Sequence, residues 1–145
     1  MSTATSKKHD ENEIRDLIGQ WAAAVAQKDV NKIMSFYSDD VRVFDVPPPL
    51  QVKGKVGYRK NWEDWLRMFR GDIECTIRDL NITASSDTAF ASCLTHIGEK
   101  GNGSGSWVRV TVGYRRTGDK WLATHEHVSL PFNGQTGESV SNLKP

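Results

Sequence analysis

Residues 106–131, SWVRVTVGYRRTGDKWLATHEHVSLP, decide the fold. Two runs with period-two alternation flank Gly118-Asp119. A two-residue turn with glycine first suits a type II′ hairpin, which pins the strand register. With Thr117 and Lys120 closing the turn, Thr111 falls opposite Glu126, Val110 opposite His127 and Arg109 opposite Val128. One face then carries Trp107, Arg109, Thr111, Thr124, Glu126, Val128 and Leu130; the other carries Val108, Val110, Val112, Tyr114, His125, His127 and Ser129. Neither face is wholly apolar. That points to a sheet covered on both sides, with polar groups set into one of them, and so to a small domain that bears a pocket. A shift of the turn by one residue moves Glu126 off the face of Arg109 and brings His125 and His127 to it.

Working outward, residues 72–83 and 88–98 are also strand-like, so that with 107–116 and 121–131 they form a meander joined at Ser85-Ser86-Asp87 and at GNGSG, 101–105. That glycine loop joins two strands and lacks the spacing of a phosphate loop, so it is assigned flexibility. Upstream, Asp10 and Glu13 read as a capping box, followed by an apolar face of Ile14, Leu17, Ile18, Trp21 and Val25 at helical spacing. Asp29 caps a shorter helix with Ile33, Met34 and Tyr37 inward. Val41 to Val46 alternates as a strand that Pro47–Pro49 ends, and Gly54 and Gly57 precede a third helix with the stripe Tyr58, Trp62, Trp65, Leu66 and Phe69. Helices followed by strands imply an α+β layered domain in which a twisted sheet wraps the helices and encloses a conical cavity.

At 145 residues the chain is read as one domain over 10–131, with a disordered lead over 1–9 and a loose tail over 132–145. Nineteen basic and 18 acidic residues are interspersed, so nothing suggests nucleic acid. No apolar run approaches the ~20 residues that cross a bilayer. Cys75 and Cys93 lack CxxC spacing and read as buried free thiols, which suits the cytoplasm.

The element order, together with WAAAVAQKDVNKIMSFYSDDVRVFD, the KGKVGYRKNW segment and VRVTVGYRRTGDKWLATHEHVSLP, resembles the nuclear transport factor 2-like superfamily, which includes ketosteroid isomerase and the SnoaL-like polyketide cyclases. Trp121, His125, His127 and Ser129 match a strand pattern similar to that of the calcium/calmodulin-dependent kinase association domain; Pro131 matches with its spacing shifted by one. The resemblance implies a cystatin-like α+β barrel: a cone-shaped, bent antiparallel sheet around three N-terminal helices, often dimeric through the outer face of the sheet. It places Asp45 where the isomerase has its general base. Trp21 stands where the isomerase has a tyrosine, and Thr111 where it has a second acid. What it implies is a cofactor-free isomerase, cyclase or dehydratase acting on a hydrophobic carbonyl compound, or alternatively a non-catalytic assembly module.

Among the residues themselves, Asp45 shares a strand face with Val41 and Val43, so desolvation should raise its pKa toward general-base work. An Asp capping the proline turn or paired to an arginine is the plainer alternative. Arg109 and Glu126, on one face in the inferred register, can orient a ligand carbonyl or form a structural ion pair. Together with Asp45 they make the candidate catalytic set. Trp21, Tyr58, Trp62, Thr111 and Val128 are the candidate substrate-binding residues, enclosing a small hydrophobic ligand. His125 and His127 at i, i+2, with His96 or Asp45, have weak metal-ligand spacing. The expectation is instead a structural role on an outer face with Val108, Val110 and Val112 that forms a homodimer, without metal or cofactor.

Overall fold

The computed structural model describes residues 3–145. Helix α1 spans Ala4–Ala26, and the Thr3 hydroxyl caps it, accepting from the Ser6 N–H at 3.2 Å. Residues 4–9 contain no helix breaker, so the helix runs through most of the segment expected as a loose lead; residues 1–2 lie outside the described residues. The expected capping box is not formed. Asp10 and Glu13 turn to the hairpin instead, Asp10 pairing with Arg116 and Glu13 accepting from the Trp121 indole at 2.8 Å. Ile14, Ile18 and Val25 are buried on the inner stripe of α1, with Leu17 and Trp21 packed against the core.

Helix α2, Val30–Met34, starts at Asp29, whose carboxylate accepts from the Lys32 N–H at 3.0 Å. Tyr37 opens strand β1, Tyr37–Phe44, rather than closing this helix. Along β1, Val41 and Val43 are fully buried while Arg42 is exposed, the alternation expected of a half-buried strand. Beyond the prolines a two-residue strand that the periodicity did not announce, β2 (Val52–Lys53), pairs antiparallel with β1. Helix α3, Lys55–Leu66, begins at Gly54, whose φ of 92° only glycine adopts without strain.

The meander follows as β3 (Ile73–Ala84), β4 (Thr88–Glu99), β5 (Ser106–Thr117) and β6 (Lys120–Ser129). The sheet order is β2-β1-β6-β5-β4-β3, curved and unclosed. The β1–β6 pairing is parallel, so the sheet is mixed where an antiparallel one was expected. The helices lie on its concave side, and Ile14, Val25, Ile33, Val41 and Val43 have no exposed surface in the core between the layers. Each contributes about 1.5–3 kcal/mol by leaving water. Residues 132–145 form no helix or strand, but they are tied back by a Phe132–Ser139 bridge and by the Val140 N–H on the Pro131 carbonyl at 2.8 Å. No helix among the described residues is long and apolar enough to cross a membrane.

The β5–β6 hairpin decides the site. Gly118 sits at φ 64°, as the turn requires, and Thr117 pairs with Lys120 as expected. The register then changes. Tyr114 pairs with Ala123 but Gly113 pairs with His125, leaving Thr124 as an extra residue in β6. This β-bulge reverses which residues of β6 face inward. Trp121 and Ala123 point into the core before it, Glu126 and Val128 after it. On β5 the inward set is Val108, Val110, Val112 and Tyr114 throughout. The expected face assignment is therefore corrected. Val108, Val110 and Val112 lie on the concave face with Glu126, while Arg109, Thr111, His125 and His127 share the outer one.

Candidate active site

A cavity of about 370 Å³ opens between α1, α3 and the concave face of the sheet. Trp21 comes to it from α1, and Tyr58, Trp62 and Trp65 from one stripe of α3. The sheet supplies Thr95, Val108, Val110, Glu126 and Val128, and Asp45 enters from the residue just past β1. Ser104 and Gly105 bring the glycine loop to the rim. That loop is held more closely than its composition suggested. The Ser104 hydroxyl accepts from the Glu99 N–H at 2.8 Å, and a Cβ at Gly105 would stand 2.3 Å from the Ile97 carbonyl oxygen.

Glu126 lies in the cavity wall with 4% of its surface exposed. Two tyrosines hold its carboxyl group. The Tyr37 hydroxyl donates to Oε1 at 3.0 Å and the Tyr58 hydroxyl donates to Oε2. The two rings meet edge to face, their centroids 5.1 Å apart. Burial pushes the Glu126 carboxyl from 4.5 up to about 7, overcoming the two tyrosine hydrogen bonds that favour its ionised form, and nearby Asp45 adds to the rise. Desolvation and the neighbouring carboxylate likewise push both tyrosines well above 10. Tyr58 lines the main cavity. Tyr37 lines a smaller space behind it, of about 40 Å³, which also reaches Cys93 and Tyr114. Glu126 borders both spaces, with one tyrosine toward each.

Asp45 is half-buried, and burial raises its pKa from 3.8, against the Val46 N–H that donates to it at 2.8 Å. It accepts from the chain entering the proline turn and lines the cavity at once.

The structure thus brings together Asp45, Glu126, Trp21, Tyr58, Trp62 and Val128. It does not bring Arg109 or Thr111 to them. Arg109 is exposed on the outer face, donating to Ser129 Oγ and the Leu130 carbonyl, both at 3.1 Å. Thr111 is exposed opposite His127. The bulge at Thr124 is the physical reason, because it rotates Glu126 away from both. The His125 Nδ1–H donates to the Arg42 carbonyl oxygen at 2.7 Å, and the ring packs edge to face on Phe44, as does that of His127. Their outer face is opposite that of Asp45, and the described residues contain no group of three metal-ligating side chains. Tyr37 is the site residue the sequence reading missed. A tyrosine just before an Asp-Asp pair gave no sign that it partners an acid far along the chain. The indole N–H groups of Trp21 and Trp62 are buried without a partner.

A profile of the SnoaL-like domain matches residues 14–133. Among solved structures, an NTF2-like protein of unknown function from Pseudomonas putida KT2440 is 37% identical, covers 95% of this chain and 98% of its own, and superposes with a TM-score of 0.90. A candidate dehydratase of the NTF2-like family from Streptomyces avermitilis is 18% identical over 85% of this chain and 97% of its own, with a TM-score of 0.72. A candidate calcium/calmodulin-dependent protein kinase II association domain from Xanthomonas campestris is 20% identical over 81% and 84%, with a TM-score of 0.69. No curated protein matches the chain.

Proposed function

The chain belongs to the SnoaL-like domain family, with the cystatin-like fold of its NTF2-like relatives, and on that premise we propose that it is an acid–base enzyme acting on a hydrophobic carbonyl compound, of the isomerase, cyclase or dehydratase kind. The observation that carries this reading is the pair of carboxyl groups, both raised by burial, in one aromatic cavity. Two acids with displaced titrations can divide the roles of base and acid between them. Asp45, at the more open end, takes the proton α to the carbonyl. Glu126, close to half-protonated at neutral pH, passes its proton to the Tyr58 oxygen while Tyr58 gives its own to the carbonyl oxygen. The α C–H bond breaks, an enol O–H bond forms, and the reverse sequence at another carbon completes an isomerisation. Only proton transfers are required. Arg109 has no part in it.

The test is deuterium uptake from heavy water at the α position of a soluble arylalkyl ketone. The wild type should accelerate uptake, and Asp45→Asn should lower the rate about a hundredfold to ten-thousandfold without loss of stability. An Asn variant that exchanges like the wild type removes Asp45 as the base.

A second reading concerns assembly. The outer face of the sheet carries Phe90, 53% exposed, and half-buried Phe44, Leu94 and Trp107, an apolar patch that a second copy of the chain would cover. The proposed homodimer uses these residues with His125 and His127, not the three valines. Sedimentation of a dimer that Phe90→Asp dissociates supports it, and a stable wild-type monomer at micromolar concentration rejects it. The free thiols Cys75 and Cys93 favour a reducing, cytoplasmic setting.

A further inference from the structure

We infer that the cavity selects a ligand bearing a positively charged nitrogen on its hydrophobic skeleton and turns anions away. This rests on the reading of the cavity as the ligand site. Among the described residues lining it, two are acids, Asp45 and Glu126, and none is Lys, Arg or His. The cation expected there, Arg109, is on the other side of the sheet. Each carboxyl group is displaced chiefly by burial, with no protein cation relieving it. A carboxylate or phosphate entering this space would add a further negative group beside these acids with no cation to pair it, which is costly to bury. An ammonium group supplies the counter-charge that the wall lacks.

The rest of the wall fits the same guest. Trp62 packs edge to face on Tyr58, Trp21 and Trp65, at centroid separations of 6.1, 5.9 and 5.6 Å, and Trp65 does so on Phe69 at 4.7 Å. Such packing turns ring faces in several directions around one space, and indole faces attract cations most strongly. A desolvated nitrogen among three tryptophans and two carboxyl groups is held by both effects at once. The ligand class is therefore a hydrophobic amine, whose carbonyl is the one the proposed reaction requires.

The experiment is calorimetric titration of the full-length protein at about pH 8, where Glu126 is largely ionised. Three probes of one skeleton are compared: benzyltrimethylammonium, the uncharged tertiary alcohol in which a hydroxyl-bearing carbon replaces the nitrogen and one of its methyl groups, and the carboxylate in which a carbon bearing a carboxylate replaces them. The ammonium should bind roughly tenfold or more tighter than the alcohol, with the carboxylate weakest. Asp45→Asn should weaken the ammonium and leave the alcohol within about twofold. If the alcohol or carboxylate equals the ammonium, the charge selection is wrong while the cavity still stands as a ligand site. If none of the three binds, both readings fall together.

Discussion

Replacing Glu126 with glutamine removes one titration from the folded protein, and its consequence depends on pH in a calculable way. The carboxyl group ionises near 4.5 in the unfolded chain and at about 7 in the fold. Between those values the native state keeps a proton that the unfolded state has released, so raising the pH favours unfolding. The contribution to stability is greatest below pH 4.5, declines across the interval and levels off above about 7. At ~1.4 kcal/mol per pH unit, the gap between the two values is worth about 3 kcal/mol. Glu126 is enclosed, so little solvent screening reduces that figure. The substituted amide would stay neutral and still accept from a tyrosine. Urea unfolding of wild type and Glu126→Gln from about pH 4.5 to about pH 8 measures the difference, and subtraction removes every other titrating group to first order. The variant should gain about 3 kcal/mol on the wild type across that range. Parallel curves refute the burial argument.

Other perturbations separate the parts of the site. Tyr37→Phe deletes a hydrogen bond to the ionised carboxylate, so the decline in stability, still beginning near 4.5, should extend to higher pH, and the variant should lose about 1.5–3 kcal/mol above neutrality. Arg109→Ala should leave activity unchanged and cost less than about 1 kcal/mol, because the side chain is exposed outside the cavity; a large fall in turnover contradicts its placement. Gly105→Ala should cost more than about 1 kcal/mol by thermal unfolding, since φ is 96° and the new methyl would meet the Ile97 carbonyl.

The four meander strands, the Asp29 cap and the inward alternation of Val41, Val43 and Asp45 could be read in the chain because local periodicity and turn chemistry determine them. The start of α1 could not, because Asp10 and Glu13 have the spacing of a capping box and their actual partners, Arg116 and Trp121, are distant in sequence. The bulge was the consequential miss. A turn fixes register only as far as the next irregularity, and Thr124 is that irregularity. Its trace is present in the chain. The inward residues of β6 change parity between Ala123 and Val128, while β5 offers Val108, Val110, Val112 and Tyr114 without interruption. Reading that unbroken stripe as core places Glu126 inside and Arg109 outside. The Tyr37–Glu126–Tyr58 grouping needs three distant elements to meet, and no local pattern encodes that.

The central claim is that Glu126 is an ionisable acid held in an apolar cavity by two tyrosines, and NMR titration of isotope-labelled glutamate carboxyl carbons tests it most directly, with the resonance assigned by its loss in Glu126→Gln. A midpoint near 7 that moves upward in Tyr58→Phe is the predicted result. A midpoint near the ordinary 4.5 would contradict the account.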